Sequence, residues 1–417
     1  MMNPLPIVLA TLLRNRFTAI LFVGLIALAT ALGIAISAQE RALRLGSARA
    51  ADRFDLIVAA PGGHNDVLFS VVYLDPTAVE LLSSEMTATV LAGDRAEFAA
   101  PIGFGDSHDG APVVGTTARF VEHLCQGLAE GRTFERLDEA VVGALSPARL
   151  GERLGISHGH AGEGAGDDAD FAADQHAQGR TPEPGDHLPV KVVGRMKPTG
   201  TPWDRAIVVP IEHNWFVHAL DTGHAPGDEH IGPPFDPQYL PGVPAIVVKP
   251  ESVAAAYGLR NRYRTTDSTA FFPAEVLVEL YALMGDVARI MGALTLAAQV
   301  LVVAAILAGI LALLDLQRQR FAVLRALGAP GAFVFAVVWL YVGALIGSGI
   351  AIGLPLGWLA AGVVSALVAG QTGVAMTASI GGAELALASS LMALGLLLAV
   401  VPAVLTYRKP VADALRT

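Results

Sequence analysis

Apolar and polar positions alternate along this chain in blocks of two kinds. Phe17 to Ala38 is 22 residues without a charge, long enough to cross a hydrocarbon core of about 30 Å. Ile290 to Leu314 and Leu385 to Leu405 are runs of similar character. Ala332 to Ala369 is uncharged for 38 residues, too long for one straight span at about 1.5 Å per residue, and Gly353 with Pro355 predicts a break there. Between the first and second runs lies a long mixed region. In it, Phe54–Ala60, Glu139–Gly143, Val190–Gly194, Ala206–Pro210 and Ala245–Lys249 read as strands. Pro76–Met86, Leu150–Gly155, Pro250–Tyr257 and Pro273–Asp286 read as helical. Six prolines between Pro226 and Pro244 exclude regular structure there.

Finer features frame these blocks. Residues 1–16, with Ile7, Val8, Leu9, Leu12 and Leu13 closed by Arg14 and Arg16, predict an amphipathic helix at the membrane surface. A cleaved signal peptide ending at Ala38 competes with a retained first span, but the apolar run exceeds an h-region of about 7–15 residues. Glu40–Asp52 keeps helical spacing and extends the first span as a stalk, and Pro273–Asp286 serves as its partner stalk. Pro198–Asp204 is a Gly/Pro-rich loop, read as a contact loop or as a rigid connection before the strand at Ala206. Gly343, Gly347, Ser348, Gly349 and Gly353 let helices approach closely.

Composition agrees with a membrane protein. Of 417 residues, 53% are hydrophobic and 16% charged, and mean hydropathy is positive. From Glu40 to Gly285, 19 Lys and Arg face 34 Asp and Glu, a balance of −15 within a total of −10, so the remainder is positive. Short flanks carry the basic residues: Arg14 and Arg16; Arg318, Arg320 and Arg325; Arg408, Lys409 and Arg416. Gly370–Gly382 carries none. This pattern predicts four spans with both termini cytoplasmic and the acidic region outside. No clustered basic face suits nucleic acid. The single cysteine, Cys125, excludes an intrachain disulfide.

Candidate chemistry is sparse. No Walker A, G-x-S-x-G, H-E-x-x-H or C-x-x-C pattern occurs, so neither a nucleotide site nor a catalytic constellation is expected in this chain. All eleven histidines fall between His64 and His230. His158, His160, His176 and His187 share an Ala/Gly-rich stretch with Glu163, Asp167, Asp168, Asp170 and Asp174. Imidazole and carboxylate suit weak zinc capture. A soluble flexible insertion and a pH sensor are the other readings.

The gap between the second and third runs is the most pointed feature. In 315–329, Phe321, Leu324 and Leu327 share one helical side with Ala322 and Ala326, and Gly328 followed by Pro330 stops the helix. A positive loop that only fixes orientation is the plainer reading. Arg320–Ala329 also resembles the segment that FtsX/MacB-type ABC permeases place between their second and third spans. Pro402–Arg416 resembles that family's ending, and Glu139–Gly143, Leu150–Gly155 and Val193–Gly194 resemble a MacB-like periplasmic core.

The resemblance implies an α-helical membrane protein with four transmembrane helices and an α+β extracytoplasmic domain between the first and second. Its parts would be 1–16, the first span 17–38, the periplasmic MacB-like domain with stalks 39–289, and an FtsX-type block 290–417. That block would hold spans 290–314, 332–355 and 385–405, the coupling helix 315–329 and a tail 406–417. It further implies a permease subunit in an inner-membrane ABC transporter, without a cofactor of its own. A separate ATPase subunit, a second permease copy, the lipid bilayer and a periplasmic protein are the implied partners. Arg318, Arg320, Phe321, Leu324, Arg325 and Gly328 would dock on the ATPase, with Arg408 and Lys409 as further inside contacts. A non-transporting signal relay that regulates a periplasmic enzyme or metal-binding partner is the alternative function.

Overall fold

A computed structural model of the chain describes residues 3–75, 77–158, 188–282, 329–401 and 403–404, with scattered helical residues between 285 and 304. It separates into a mainly helical unit, 1–44 with 283–367 and 376–417, and an α+β unit, 45–282 with 368–375.

The helical unit starts with α1 (Leu5–Arg14) and α2 (Arg16–Ala51). It continues with α8 (Gly331–Thr372) and α9 (Gly382–Leu398). Both α2 and α8 are long and apolar enough to cross a membrane. Helix α2 runs unbroken into the charged stretch after Glu40, so the first apolar run does continue as one helix. Helix α8 overturns the expected break: it passes through Gly353 and Pro355 without interruption. Pro355 lies on the exposed face, where a missing N–H disturbs no packing, while Gly353 and Gly357 lie on the buried face. The buried side is lined by Val8, Ile26, Val337, Tyr341, Leu345, Ile350 and Leu391 among others.

The α+β unit is built on a mixed sheet of eleven strands among the described residues, in the order β11-β1-β10-β2-β3-β9-β5-β8-β4, with β6 on β8 and β7 on β2. The strands are β1 (Leu56–Ala59), β2 (Ala96–His108), β3 (Ala111–Thr116), β4 (Leu128–Gly131), β5 (Glu139–Val142) and β6 (Arg153–Leu154). They continue with β7 (Ser157–His158), β8 (Val190–Met196), β9 (Ile207–Pro210), β10 (Ala245–Pro250) and β11 (Thr269–Phe271). Strands β1 and β9 are buried at every position, which is why each reads as an uninterrupted apolar run rather than an alternating one, and β5 is buried throughout even though it opens on Glu139. Strand β2 is shared. Residues 96–102 pair with β10, 103–108 pair with β3, and the register shifts between Phe104 and Asp106. Gly105, at φ +135°, makes that shift available.

Helices cover the sheet: α3 (His64–Val72), α4 (Ser84–Leu91), α5 (Ala118–Cys125), α6 (Ile211–Val217), α7 (Val253–Arg262) and a helical segment at 273–282. In α5, Phe120, Val121, Leu124 and Cys125 form one buried stripe. Phe54, Phe120 and Trp203 interlock with ring centroids 5.5–6.1 Å apart. Cys125 is a packed side chain, its Sγ donating to the Val121 carbonyl at 3.0 Å, and burial pushes its thiol up from the ordinary range.

Two local readings are corrected. The helix expected at Pro76–Met86 forms at Ser84–Leu91, because the Ser83 hydroxyl caps it by accepting from the Met86 N–H at 3.2 Å. Leu82, just before that cap, pairs with Val243 instead. Leu150–Gly155 is a turn followed by β6, because Gly151 takes φ +84°, which ends a helix before it starts.

Candidate functional site

The described part of the helical unit centres on a glycine seam. In α8, Gly349, Gly353 and Gly357 recur every four residues and so share one face. A Cβ at Gly349 would lie 2.5 Å from the Ile26 Cβ, one at Gly353 2.6 Å from the Thr30 Cβ, and one at Gly357 2.6 Å from the Ala31 carbonyl oxygen. No side chain larger than hydrogen fits at these three positions without moving α2 away. On the α9 side, a Cβ at Gly395 would lie 2.8 Å from Ile346 Cδ1, and Trp339 Nε1 donates to the Leu396 carbonyl at 3.1 Å.

A polar clasp follows the seam along α2. Glu384, at the start of α9, is fully buried. Its carboxylate accepts from Ser37 Oγ, Arg41 Nη1 and the Gly381 N–H, each at 2.8 Å. Arg41 also donates to the Ser379 carbonyl. Ser365 Oγ donates to Gln39 Oε1 at 2.9 Å, and Trp358 Nε1 to the Ala378 carbonyl at 3.1 Å. A buried carboxylate persists only when its charge and lone pairs are matched, and here they are matched by α2 and the turn before α9. Its place at the N-terminus of a helix adds to that match.

Within the α+β unit, the loop Pro198–Asp204 has a defined role. The buried Asp204 carboxylate accepts from the Thr199 N–H at 2.7 Å, Thr199 Oγ1 at 2.8 Å and the Gly200 N–H at 2.7 Å. That locks the loop, and the locked loop receives residues 368–375. Ala375 N–H donates to the Gly200 carbonyl at 2.9 Å, while Arg205 donates to the Gly370 and Gln371 carbonyls. Arg205 thereby supplies the last turn of α8 with the donors its carbonyls lack, at the end where a cation is favoured. The loop is both a rigid connection and a contact element within its unit.

The residues assigned to ATPase docking, Arg318, Arg320, Phe321, Leu324, Arg325, Gly328, Arg408 and Lys409, lie outside the described residues. So do His160, His176 and His187. His158 lies in β7, its backbone paired with Asp106. Among the described residues no three His, Cys, Asp or Glu side chains are grouped to hold a metal. The clasp was missed by sequence reasoning. Glu384 reads there as a charge at a span end, and nothing local marks Arg41 as its partner.

Residues 292–411 match the model of the FtsX-like permease C-terminal family. Among solved structures, the periplasmic region of MacB from Actinobacillus actinomycetemcomitans is similar at 10% identity and a TM-score of 0.32, covering 56% of this chain and 95% of that one. No curated protein matches the chain. The Arg320–Ala329 segment falls inside residues 292–411, so the C-terminal part of the chain is similar to an FtsX-like permease block.

Proposed function

We propose that this chain is the permease subunit of an ABC-type complex, in which a separate ATPase subunit hydrolyses ATP and the resulting motion reaches the α+β unit for export or extraction of a substrate. The observation that carries this reading is the family match over residues 292–411, which encloses every proposed docking residue from Arg318 to Lys409. In this reading four spans place both termini in the cytoplasm and the acidic unit in the periplasm, and two copies of the chain work together in the inner membrane.

The helices suit transmission of force. At about 1.5 Å per residue, the 36-residue α2 is about 54 Å long and the 42-residue α8 about 63 Å, against a hydrocarbon core of about 30 Å. Helices longer than the core can act as levers. The seam at Gly349, Gly353 and Gly357 brings α2 and α8 into close contact, which suits mechanical relay. That same seam supports the second reading, a relay that regulates a periplasmic enzyme or metal-binding partner and moves nothing itself. Substrate flux that depends on the complex separates the first reading from the second.

The test is the double substitution Leu324→Asp with Arg325→Asp. The expected result is a protein that inserts normally and no longer co-purifies with its ATPase. Undiminished co-purification would overturn the docking assignment.

A further inference from the structure

Helix α6 is unusual in burying Glu212, His213 and Asn214 together. Glycines make the room: a Cβ at Gly115 would lie 2.8 Å from the Asn214 Cβ. Glu212 then reaches the proline-rich segment that follows. Its Oε1 accepts from the Gly232 N–H at 2.6 Å and faces His224 Nε2 at 3.4 Å. Its Oε2 is buried without a hydrogen-bond partner among the described residues. Both Glu212 and His224 are buried. The His224 ring packs against Phe235 and His230 at centroid distances of 5.4 and 5.5 Å, and Phe235 packs on Trp215 of α6 at 5.7 Å. One carboxylate therefore holds the segment at two points eight residues apart.

We propose that Glu212 and His224 form a pH-dependent latch for the segment 219–244, closed while the imidazole is protonated and released when it is neutral.

The physical reason is charge balance. The charged groups that act on His224 are Glu212 from α6 and Asp228 and Asp236 from the segment itself, and His230 is the titratable ring beside it. The hydrogen bond to Glu212, with those three negative charges, outweighs burial and raises the imidazole above its ordinary 6.5. The neighbouring His213 bonds the Leu137 carbonyl through Nδ1, and His218 pairs with Asp106 at 3.5 Å. When His224 loses its proton, the buried carboxylate loses its counter-charge. A group raised in the folded state contributes stability that is complete at low pH and lost as pH rises through its raised value. The segment is therefore held under mildly acidic conditions and loosened on the alkaline side.

The test uses the purified full chain in detergent. Amide hydrogen exchange of peptides across 219–244 is measured between about pH 5.5 and 8.5 and corrected for intrinsic exchange, and the His224 ring is titrated by exchange at its C2 position. The expected result is a loss of protection of about tenfold or more that follows the His224 titration. Glu212→Gln keeps an acceptor for Gly232 but removes the charge, and it should flatten that dependence. Flat protection in the native sequence, or an unchanged pH dependence in Glu212→Gln, would overturn the latch. If Glu212→Gln fails to fold, His224 titrating at or below its ordinary value in the native sequence overturns it equally.

Discussion

Arg41 and Glu384 stand 343 residues apart in the chain and 2.8 Å apart in the fold. Their pair joins the outgoing part of α2 to the first turn of α9. Breaking a buried pair by removing one partner leaves an uncompensated charge, at a cost of about 3 kcal/mol for a site in which Arg41 keeps some solvent contact. Glu384→Ala and Arg41→Ala should therefore each lower the thermal midpoint of the detergent-solubilised chain. The double variant should cost less than the sum of the two, because the second loss removes the charge that the first left unpaired. Additive losses would mean that the two side chains act independently.

Gly353 and Gly362 sit in the same helix but face different surroundings. A Cβ at Gly353 meets Thr30 and Ala27 of α2, whereas one at Gly362 has nothing within 4 Å. Gly353→Leu should push α2 and α8 apart and destabilise the chain by about 3 kcal/mol, at the upper end of the usual cost of overpacking a core. Gly362→Leu should change stability by less than about 0.5 kcal/mol. Thermal unfolding of the two variants side by side checks the contrast, and equal effects would remove the seam from the account.

His213 sets the acid limb of stability. Burial holds its imidazole down to about 4, against an ordinary 6.5, so the folded state resists a proton that the unfolded state accepts. Stability is complete above pH 6.5 and falls as the pH drops toward 4, by roughly 3 kcal/mol in total. His218 works in the opposite sense. Its hydrogen bond to Asp106 raises its imidazole, so its contribution is present at low pH and lost as pH rises past that raised value. Denaturant titrations of the full chain at stepped pH should show a shallower acid limb in His213→Gln than in the native sequence.

The sequence displays the apolar runs and much of the α+β unit, but only where the pattern is local. The charge-free run from Phe17 marks α2, and its continuation past Glu40 follows from helical spacing. Gly349 and Gly353 are legible as close-approach positions. Gly357 continues the same face and goes unread, because Pro355 argues locally for a break that the exposed face of α8 absorbs. Strand β2 is hidden by Pro101 and by Gly103 and Gly105, which weaken any strand pattern, although neighbouring strands supply its pairing. Helix α6 is hidden for a related reason: Glu212, His213 and Asn214 read as exposed, and only the glycines of two other strands reveal that they are not. Long-range partners such as Arg41 for Glu384 leave no trace in spacing.

Strand β2 belongs to both halves of the sheet of the α+β unit at once. Its first seven residues complete the edge-to-edge ladder through β10, β1 and β11, and its last six begin the ladder through β3, β9, β5 and β8. Neither half can lose its ladder while the other keeps a straight, fully paired border. A pull applied to one half is felt along a continuous backbone in the other, so the α+β unit should respond as one stiff plate and melt in a single cooperative step.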